Sequence, residues 1–386
     1  MVAPSTRTSA PRSIDVIGYQ VSVGAGVLDT LGAVCQRVAP AYRYAVISDD
    51  QVARHWMAPA TAAISRVIPR AAVCSTAIPA GESSKTRDTW ARLTDWLLSE
   101  GAGRDTAVIA LGGGVVGDLA GFVAATYLRG VPVIQVPTSL LAMVDASIGG
   151  KTGVDTPSGK NLVGAFHQPA AVLVDPATLA TLPAAHLRAG VAEVLKHGAI
   201  ADAAYFQMAA SWAAQLHRAT QHESARFDWA GSETLEIITR SVATKAEVVR
   251  ADPLERGRRQ VLNTGHTVAH AVERETGYAV LHGEAVSIGL VTEALLGELA
   301  GITQAGTADV LRSALGSAGL PTRVPAGVEP GRLLEAMRVD KKSRRGGLAF
   351  ALLKQIGVPA GSDAEGWSTR LEESVVLDAL RTATSD

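Results

Sequence analysis

The stretch Thr106-Ala-Val-Ile-Ala-Leu-Gly-Gly-Gly-Val-Val-Gly-Asp118 decides the fold class. An unbroken apolar run of this length reads as a parallel strand buried on both faces. The three glycines that end it lead into a helix. Backbone amides at a helix N-terminus bind phosphate oxygens, and Gly112 to Gly114 carry no Cβ to keep a pyrophosphate away. The spacing is not G-x-G-x-x-G, so the stretch alone is a weak dinucleotide signal; a nucleotide-binding loop is the favoured reading and a tight strand-to-helix turn the alternative.

Outward from that strand, from Ile14 to about Asp175, β-rich runs alternate with amphipathic segments. Tyr44–Ser48, Ala72–Ile78 and Pro132–Val136 read as strands, and Asp50–Ser65 and Lys85–Ser99 as helices. Such alternation predicts a Rossmann-like parallel sheet covered by helices. After Pro183 the texture turns helical: Ala184–Ala214, Thr234–Val249, Glu284–Ala300, Thr307–Ala318 and Pro330–Val339. Only Gly347–Leu353 reads there as a strand. The expected division is therefore a disordered tail over 1–13, an α/β domain over 14–182 and a mainly helical domain over 183–386. A ligand is expected in the crevice between the two domains.

Composition narrows the partners. The 386 residues carry 36 Lys+Arg against 37 Asp+Glu, a net charge of −1, which opposes non-specific attraction to nucleic acid or anionic membrane. Aromatic residues at 4% leave few platforms for stacked bases. Gly112–Gly114, Gly117 and Asp118 interrupt the longest apolar region, so no membrane span is expected. Cys35 and Cys74 form no framework, which points to a reducing compartment and a cytoplasmic protein.

Three of the nine histidines fall between positions 266 and 282. His266 and His270, spaced i, i+4, share a helical face and could ligate one metal; His282, preceding the next helix, could fold back to the same point. Spacing leaves open which of the three bind. Glu193 and Lys196 share a face of an apolar helix, where a buried carboxylate wants a metal or a paired charge. Asp145, Ser147, Lys151, Lys160, Asn161, Lys245, Arg259 and Asp340-Lys-Lys342 together would suit a phosphorylated anion.

Taken in order, these motifs resemble the sugar phosphate cyclases, and among them the 3-dehydroquinate synthase family. The matching stretches are Gly81-Glu-Ser-Ser-Lys85, Gly112–Asp118, Val136–Leu141, Asp145–Lys151, Gly159-Lys-Asn161, Gly190–Lys196, Leu262–His266 with His270, His282-Gly-Glu284 and Asp340–Lys342. The resemblance implies a lyase that turns 3-deoxy-D-arabino-heptulosonate 7-phosphate into 3-dehydroquinate by transient oxidation, phosphate elimination, reduction and aldol closure. It implies NAD⁺, a divalent Zn²⁺ or Co²⁺, and a homodimer. Metal ligands would be Glu193, His266 and His282. NAD⁺ would lie on Gly113, Gly114, Val115, Val116, Gly117 and Asp118, with Glu82, Lys85, Thr138, Ser139, Lys151, Lys160, Thr178, Leu179, Ala180 and Thr181 around it. The substrate would meet Asp145, Lys151, Asn161, Lys196, Lys245, Arg259, Asn263, His270 and Lys342, and Arg129 would reach into the partner subunit's site.

Two positions depart from the family pattern. Ser139 stands where a second Thr is commoner and keeps the hydroxyl. Met143 stands where many synthases have Gln, and a thioether lacks the amide's hydrogen bonds. The competing expectations are an amino-dehydroquinate- or valiolone-type cyclase and a metal-dependent alcohol or polyol dehydrogenase of the same fold. The dehydrogenase should lack the Lys and Arg set.

Overall fold

A computed structural model describes residues 10–221, 227–340 and 348–384. The chain divides into two compact units, one of residues 1–182 with 228–246, the other of residues 183–227 with 247–386.

The first unit is built on a seven-stranded sheet of order β1-β2-β9-β6-β5-β3-β4. Its strands are β1 (Arg12–Asp15), β2 (Gln20–Val23), β3 (Arg43–Asp49), β4 (Ala72–Ile78), β5 (Thr106–Gly112), β6 (Val133–Pro137) and β9 (Ala171–Val174). All neighbours run parallel except the edge pair β1–β2. Every residue of β5 is buried. Alternate side chains leave it in opposite directions, as a strand demands. Ala107, Ile109 and Leu111 join one core with Leu31, Ala63 and Ile64 from α1 (Leu31–Val38) and α2 (Asp50–Val67). Val108 and Ala110 join the other, with Leu93 and Leu119 from α3 (Arg87–Ser99) and α4 (Gly114–Thr126). The hydrophobic effect thus fixes a helix layer on each face.

Local chemistry sets the helix starts. Asp49 accepts from the amides of Gln51 and Val52 at the head of α2, and Thr86 accepts from Thr89. Because Thr86 is the cap, α3 begins at Arg87 rather than at the expected Lys85. Two features were not read from the sequence. The tail is shorter than 1–13 among the described residues, because Arg12 and Ser13 pair with Val23 and Ser22. A hairpin of β7 (Lys151–Thr156) and β8 (Gly159–Phe166) follows the sheet's sixth strand in sequence.

The second unit is mainly helical: α5 (Ala184–Ala201), α6 (Ala203–Thr220), the end of α7 (Ser232–Ala251), α8 (His266–Glu275), α9 (His282–Leu299), α10 (Thr307–Ser317), α11 (Pro330–Asp340) and α12 (Glu373–Thr384). The long helix expected over Ala184–Ala214 is two, broken at Asp202, whose extended backbone lets its carboxylate cap Ala204 and Tyr205. In place of one strand the unit holds β10 (Leu348–Phe350), β11 (Leu353–Gln355), β12 (Val358–Pro359) and β13 (Thr369–Leu371), paired as β10–β13 and β11–β12. No helix among the described residues is long and apolar enough to cross a membrane.

Candidate active site and metal centre

In the first unit the glycine loop turns β5 into α4. Gly113 is the N-cap and offers no side-chain hydrogen bond to the first turn, leaving its amides to an incoming anion. A Cβ on Gly113 would stand 3.4 Å from the Ser139 hydroxyl, an ordinary van der Waals contact that places Ser139 beside the loop. A Cβ on Gly117 would meet the Gln135 amide at 2.9 Å, where Gln135 donates to the Gly117 carbonyl. The Thr138 amide donates to the Gly112 carbonyl at 2.9 Å, which holds the Thr138–Ser139 turn against the loop. Val115 is half-buried and Val116 buried.

Beside the loop, Lys85 gathers two other expected cofactor residues. Its buried ammonium donates to Asp118 at 2.6 Å and lies 4.0 Å from Glu82. It also donates to Asn161 at 2.5 Å, which places this expected substrate residue on the same lysine. Lys160 stands 3.8 Å from Glu82. Burial raises the Asp118 and Glu82 carboxyls above their usual range against the pull of Lys85. Burial disfavours the Lys85 ammonium, but Asp118 and Glu82 outweigh it and raise its pKa. Asn161 has a left-handed φ of 56° and donates its amide to Asp155. Lys151 is exposed at the start of β7.

Thr178, Leu179, Ala180 and Thr181 lie in a 3₁₀ turn over Pro176–Thr181; Thr178 and Leu179 are buried, and Thr181 accepts from the Trp56 indole. Asp145 lies in a π-helical turn over Ala142–Ala146, where Met143 is buried. Lys245 pairs with the Asp145 carboxylate at 2.7 Å and its carbonyl at 2.5 Å. Arg129 follows Leu128 in left-handed backbone, φ 69° and 48°.

In the second unit three helices deliver the metal-type donors. Glu193 lies mid-α5, fully buried, while His266 and His282 are the first residues of α8 and α9. His282 is thus helical rather than preceding its helix. Donor atoms of Glu193, His266 and His282 all fall within 4.8 Å of one another. The Nε2 atoms of His266 and His282 stand 3.6 and 3.7 Å from Glu193 Oε1. A tetrahedral ion with ligands at about 2.0–2.1 Å separates them by roughly 3.4 Å, so the donor set fits such an ion with small adjustment. The other carboxylate oxygen pairs with Lys196 at 2.5 Å. His270 is exposed, its ring 5.7 Å from that of His266 and 6.4 Å from that of His282, and it lies outside the donor set.

Electrostatics separates the two imidazoles. Burial, reinforced by the Lys196 ammonium, drives His266 down to about 3. Burial also disfavours charge on His282, but Glu193 and Glu273 outweigh it and lift the ring to about 9. A metal ion binds neutral imidazole and so displaces the His282 proton.

Nearby, Arg259 is buried in a 3₁₀ turn, donates from a guanidinium NH to the Pro253 carbonyl and gives its amide to Asp252. Asn263 donates to Glu255 at 2.9 Å. Lys342 lies outside the described residues.

The sequence reading passed over two buried acids of this unit. Glu293, on α9, accepts from the amides of Gly265 and Val268 at the head of α8. Its signal was an acid inside the apolar run Ala285–Leu296. Glu273, on α8, faces His282; its signal was the seven-residue spacing from His266, two turns along one helix face.

The family model for the 3-dehydroquinate synthase N-terminal part matches residues 75–189, and that for the C-terminal part matches residues 190–343. A 3-dehydroquinate synthase of Xanthomonas axonopodis pv. citri is 46% identical over 361 residues, covering 91% of this chain and 95% of the relative. One from Xylella fastidiosa is 41% identical over 345 residues, covering 88% and 90%. Among solved structures, a 2-epi-5-epi-valiolone synthase from Streptomyces hygroscopicus with NAD⁺ and Zn²⁺ bound superposes with a TM-score of 0.82 at 27% identity, covering 98% and 99% of the chains. A probable glycerol dehydrogenase from Sinorhizobium meliloti has a TM-score of 0.64 at 19% identity over 96% and 98%, a likeness of fold.

Proposed function

Because the chain belongs to the 3-dehydroquinate synthase family, we propose that it converts 3-deoxy-D-arabino-heptulosonate 7-phosphate into 3-dehydroquinate and inorganic phosphate. The observation that carries this reading is the convergence of one buried carboxylate, paired with Lys196, and two imidazoles. Glu193, His266 and His282 would hold a Zn²⁺ or Co²⁺ ion. The α4 N-terminus, from Gly113 to Asp118, would take NAD⁺, with Glu82, Lys85, Thr138, Ser139, Lys151, Lys160 and Thr178 to Thr181 as its surroundings. When bound, these groups supply a Lewis acid for substrate hydroxyls and a hydride acceptor that gives its hydride back within one turnover.

The remaining roles follow from the side chains. Lys196 neutralises one oxygen of Glu193 and leaves the other turned to the imidazoles. Arg259 and Lys245 provide cations for the C1 carboxylate, and Lys151 and Lys342 for the phosphate. His270, beside the two candidate ligands, relays a proton as the phosphate departs. Asn263, oriented by Glu255, meets a substrate hydroxyl without the charge repulsion an acid would bring. Asp145 and Asn161 complete the polar contacts. We further propose a cytoplasmic homodimer in which Arg129 reaches the partner's substrate.

The test is a substrate panel on the zinc- and NAD⁺-loaded protein. Desolvated cations built around a carboxylate reject a neutral analogue strongly. Sedoheptulose 7-phosphate should therefore turn over at least about a thousandfold more slowly than the heptulosonate. Comparable rates would move the chain to another branch of the cyclases.

A further inference from the structure

A carboxylate that the proposed chemistry does not use stands behind one of the candidate metal ligands. Glu273 lies on α8, seven residues after His266, and only 2% of it is exposed. Its Oε2 is 3.5 Å from Nδ1 of His282, while Nε2 of the same ring faces Glu193 Oε1 at 3.7 Å. The imidazole is therefore held between two carboxylates, one at each nitrogen. An imidazole that donates Nδ1–H to an acceptor must present its Nε2 lone pair on the other side. Glu273 and His266 share a helix, so the acid that sets one imidazole is rigidly joined to the other.

We propose that Glu273 is a positioning residue that fixes the tautomer and ring orientation of His282, and through it the affinity of the Glu193–His266–His282 set for a divalent ion. The inference rests on the metal reading given above. The Glu273 carboxylate faces the His282 ring, whereas its own carbonyl serves the Tyr278 amide at 2.7 Å. The carbonyl contact survives any side-chain change, so the two roles separate by mutation.

The experiment measures the zinc dissociation constant by chelator competition for wild type, Glu273→Gln, Glu273→Leu, His282→Ala and the Glu273→Leu/His282→Ala double variant. Circular dichroism and a melting curve identify any variant that is not folded. Loss of an outer-sphere partner weakens metal affinity by about 10–100-fold. Glu273→Leu should fall in that range. Glu273→Gln, which keeps an acceptor for Nδ1–H, should recover most of the loss. In the His282→Ala background, Glu273→Leu should change nothing further, because its effect runs through the missing ring. Nitrogen NMR of His282 in the zinc-loaded protein should show a hydrogen-bonded Nδ1–H in wild type and a shifted, faster-exchanging one in Glu273→Leu. The cobalt-loaded visible spectrum should shift in Glu273→Leu and return in Glu273→Gln.

Equal zinc affinity in wild type and both Glu273 variants, with an unchanged Nδ1–H signal, would overturn the inference while leaving the metal site intact. The same loss from Glu273→Leu with and without His282 would overturn it in favour of a purely structural role. A wild-type protein whose zinc affinity is indifferent to His282→Ala would overturn the metal reading itself, and this inference with it.

Discussion

Replacing Glu293 by Ala removes a carboxylate that accepts from the Gly265 amide at 2.7 Å and the Val268 amide at 3.0 Å, both in the buried interior. These are charge-assisted bonds at a helix N-terminus, where a negative group also meets the helix dipole. Each is worth about 1.5–3 kcal/mol, and relief of the carboxylate's own desolvation offsets part of the sum. The net expected loss is about 3–5 kcal/mol for Glu293→Ala. Glu293→Gln keeps one acceptor and turns an N–H₂ toward the second amide, so it should cost about 1–2 kcal/mol. For a unit of this size roughly 2–4 °C accompanies each kcal/mol, which puts the Ala variant about 10 °C below wild type. The assay is thermal unfolding of the metal-free protein, with hydrogen exchange at the Gly265 and Val268 amides as the local readout. A melting temperature within about 2 °C of wild type, with both amides still protected, would refute the assignment of Glu293 as the α8 cap.

Other outcomes follow from the same geometry. Glu193→Gln should lower zinc affinity by more than about 100-fold, beyond the effect of an outer-sphere loss, and lower activity with it; stoichiometric zinc at normal turnover would contradict its role as a ligand. Mixing Arg129→Ala with Glu193→Gln subunits should restore part of the activity through hybrid dimers. No recovery, with subunit exchange demonstrated, would confine Arg129 to its own chain. Three backbone amides, of Arg256, Gly257 and Arg259, outweigh a burial penalty and hold the Asp252 carboxyl below its ordinary value. Its stabilising contribution is therefore fully present above the unfolded pKa of about 3.9 and fades as pH falls through the lower folded value. Asp252→Asn should be less stable than wild type at pH 7, and the gap in urea midpoint should narrow toward pH 3; a gap that widens in acid would reverse the sign.

Much of the first unit was legible because a doubly buried parallel strand leaves a plain signature: Ala107–Leu111 is apolar throughout and runs into glycine. The break at Asp202 was also written locally, in an acid able to cap the next helix, but an apolar run on both sides concealed it. The β10–β13 and β11–β12 pairs were not legible, since strands of two or three residues carry too few alternations and their pairing is non-local. Among the site residues, the histidine cluster announced itself by density. Spacing alone could not rank His270 against His282, because the answer depends on how α5, α8 and α9 cross: a Cβ on Gly283 would meet the Ala189 carbonyl, and one on Gly289 the Gly265 carbonyl, each at 1.9 Å. Those contacts bring the heads of α8 and α9 beside Glu193, and no one-dimensional pattern contains them.

The central claim is a reaction that borrows a hydride and returns it while phosphate is lost. Its most direct test follows inorganic phosphate and the NADH absorbance band together, with the zinc- and NAD⁺-loaded protein acting on 3-deoxy-D-arabino-heptulosonate 7-phosphate. Phosphate should accumulate over many turnovers while NADH stays near a small fixed level no greater than the enzyme present. NADH rising in step with product, or turnover without phosphate release, would contradict the account and favour a net oxidoreductase.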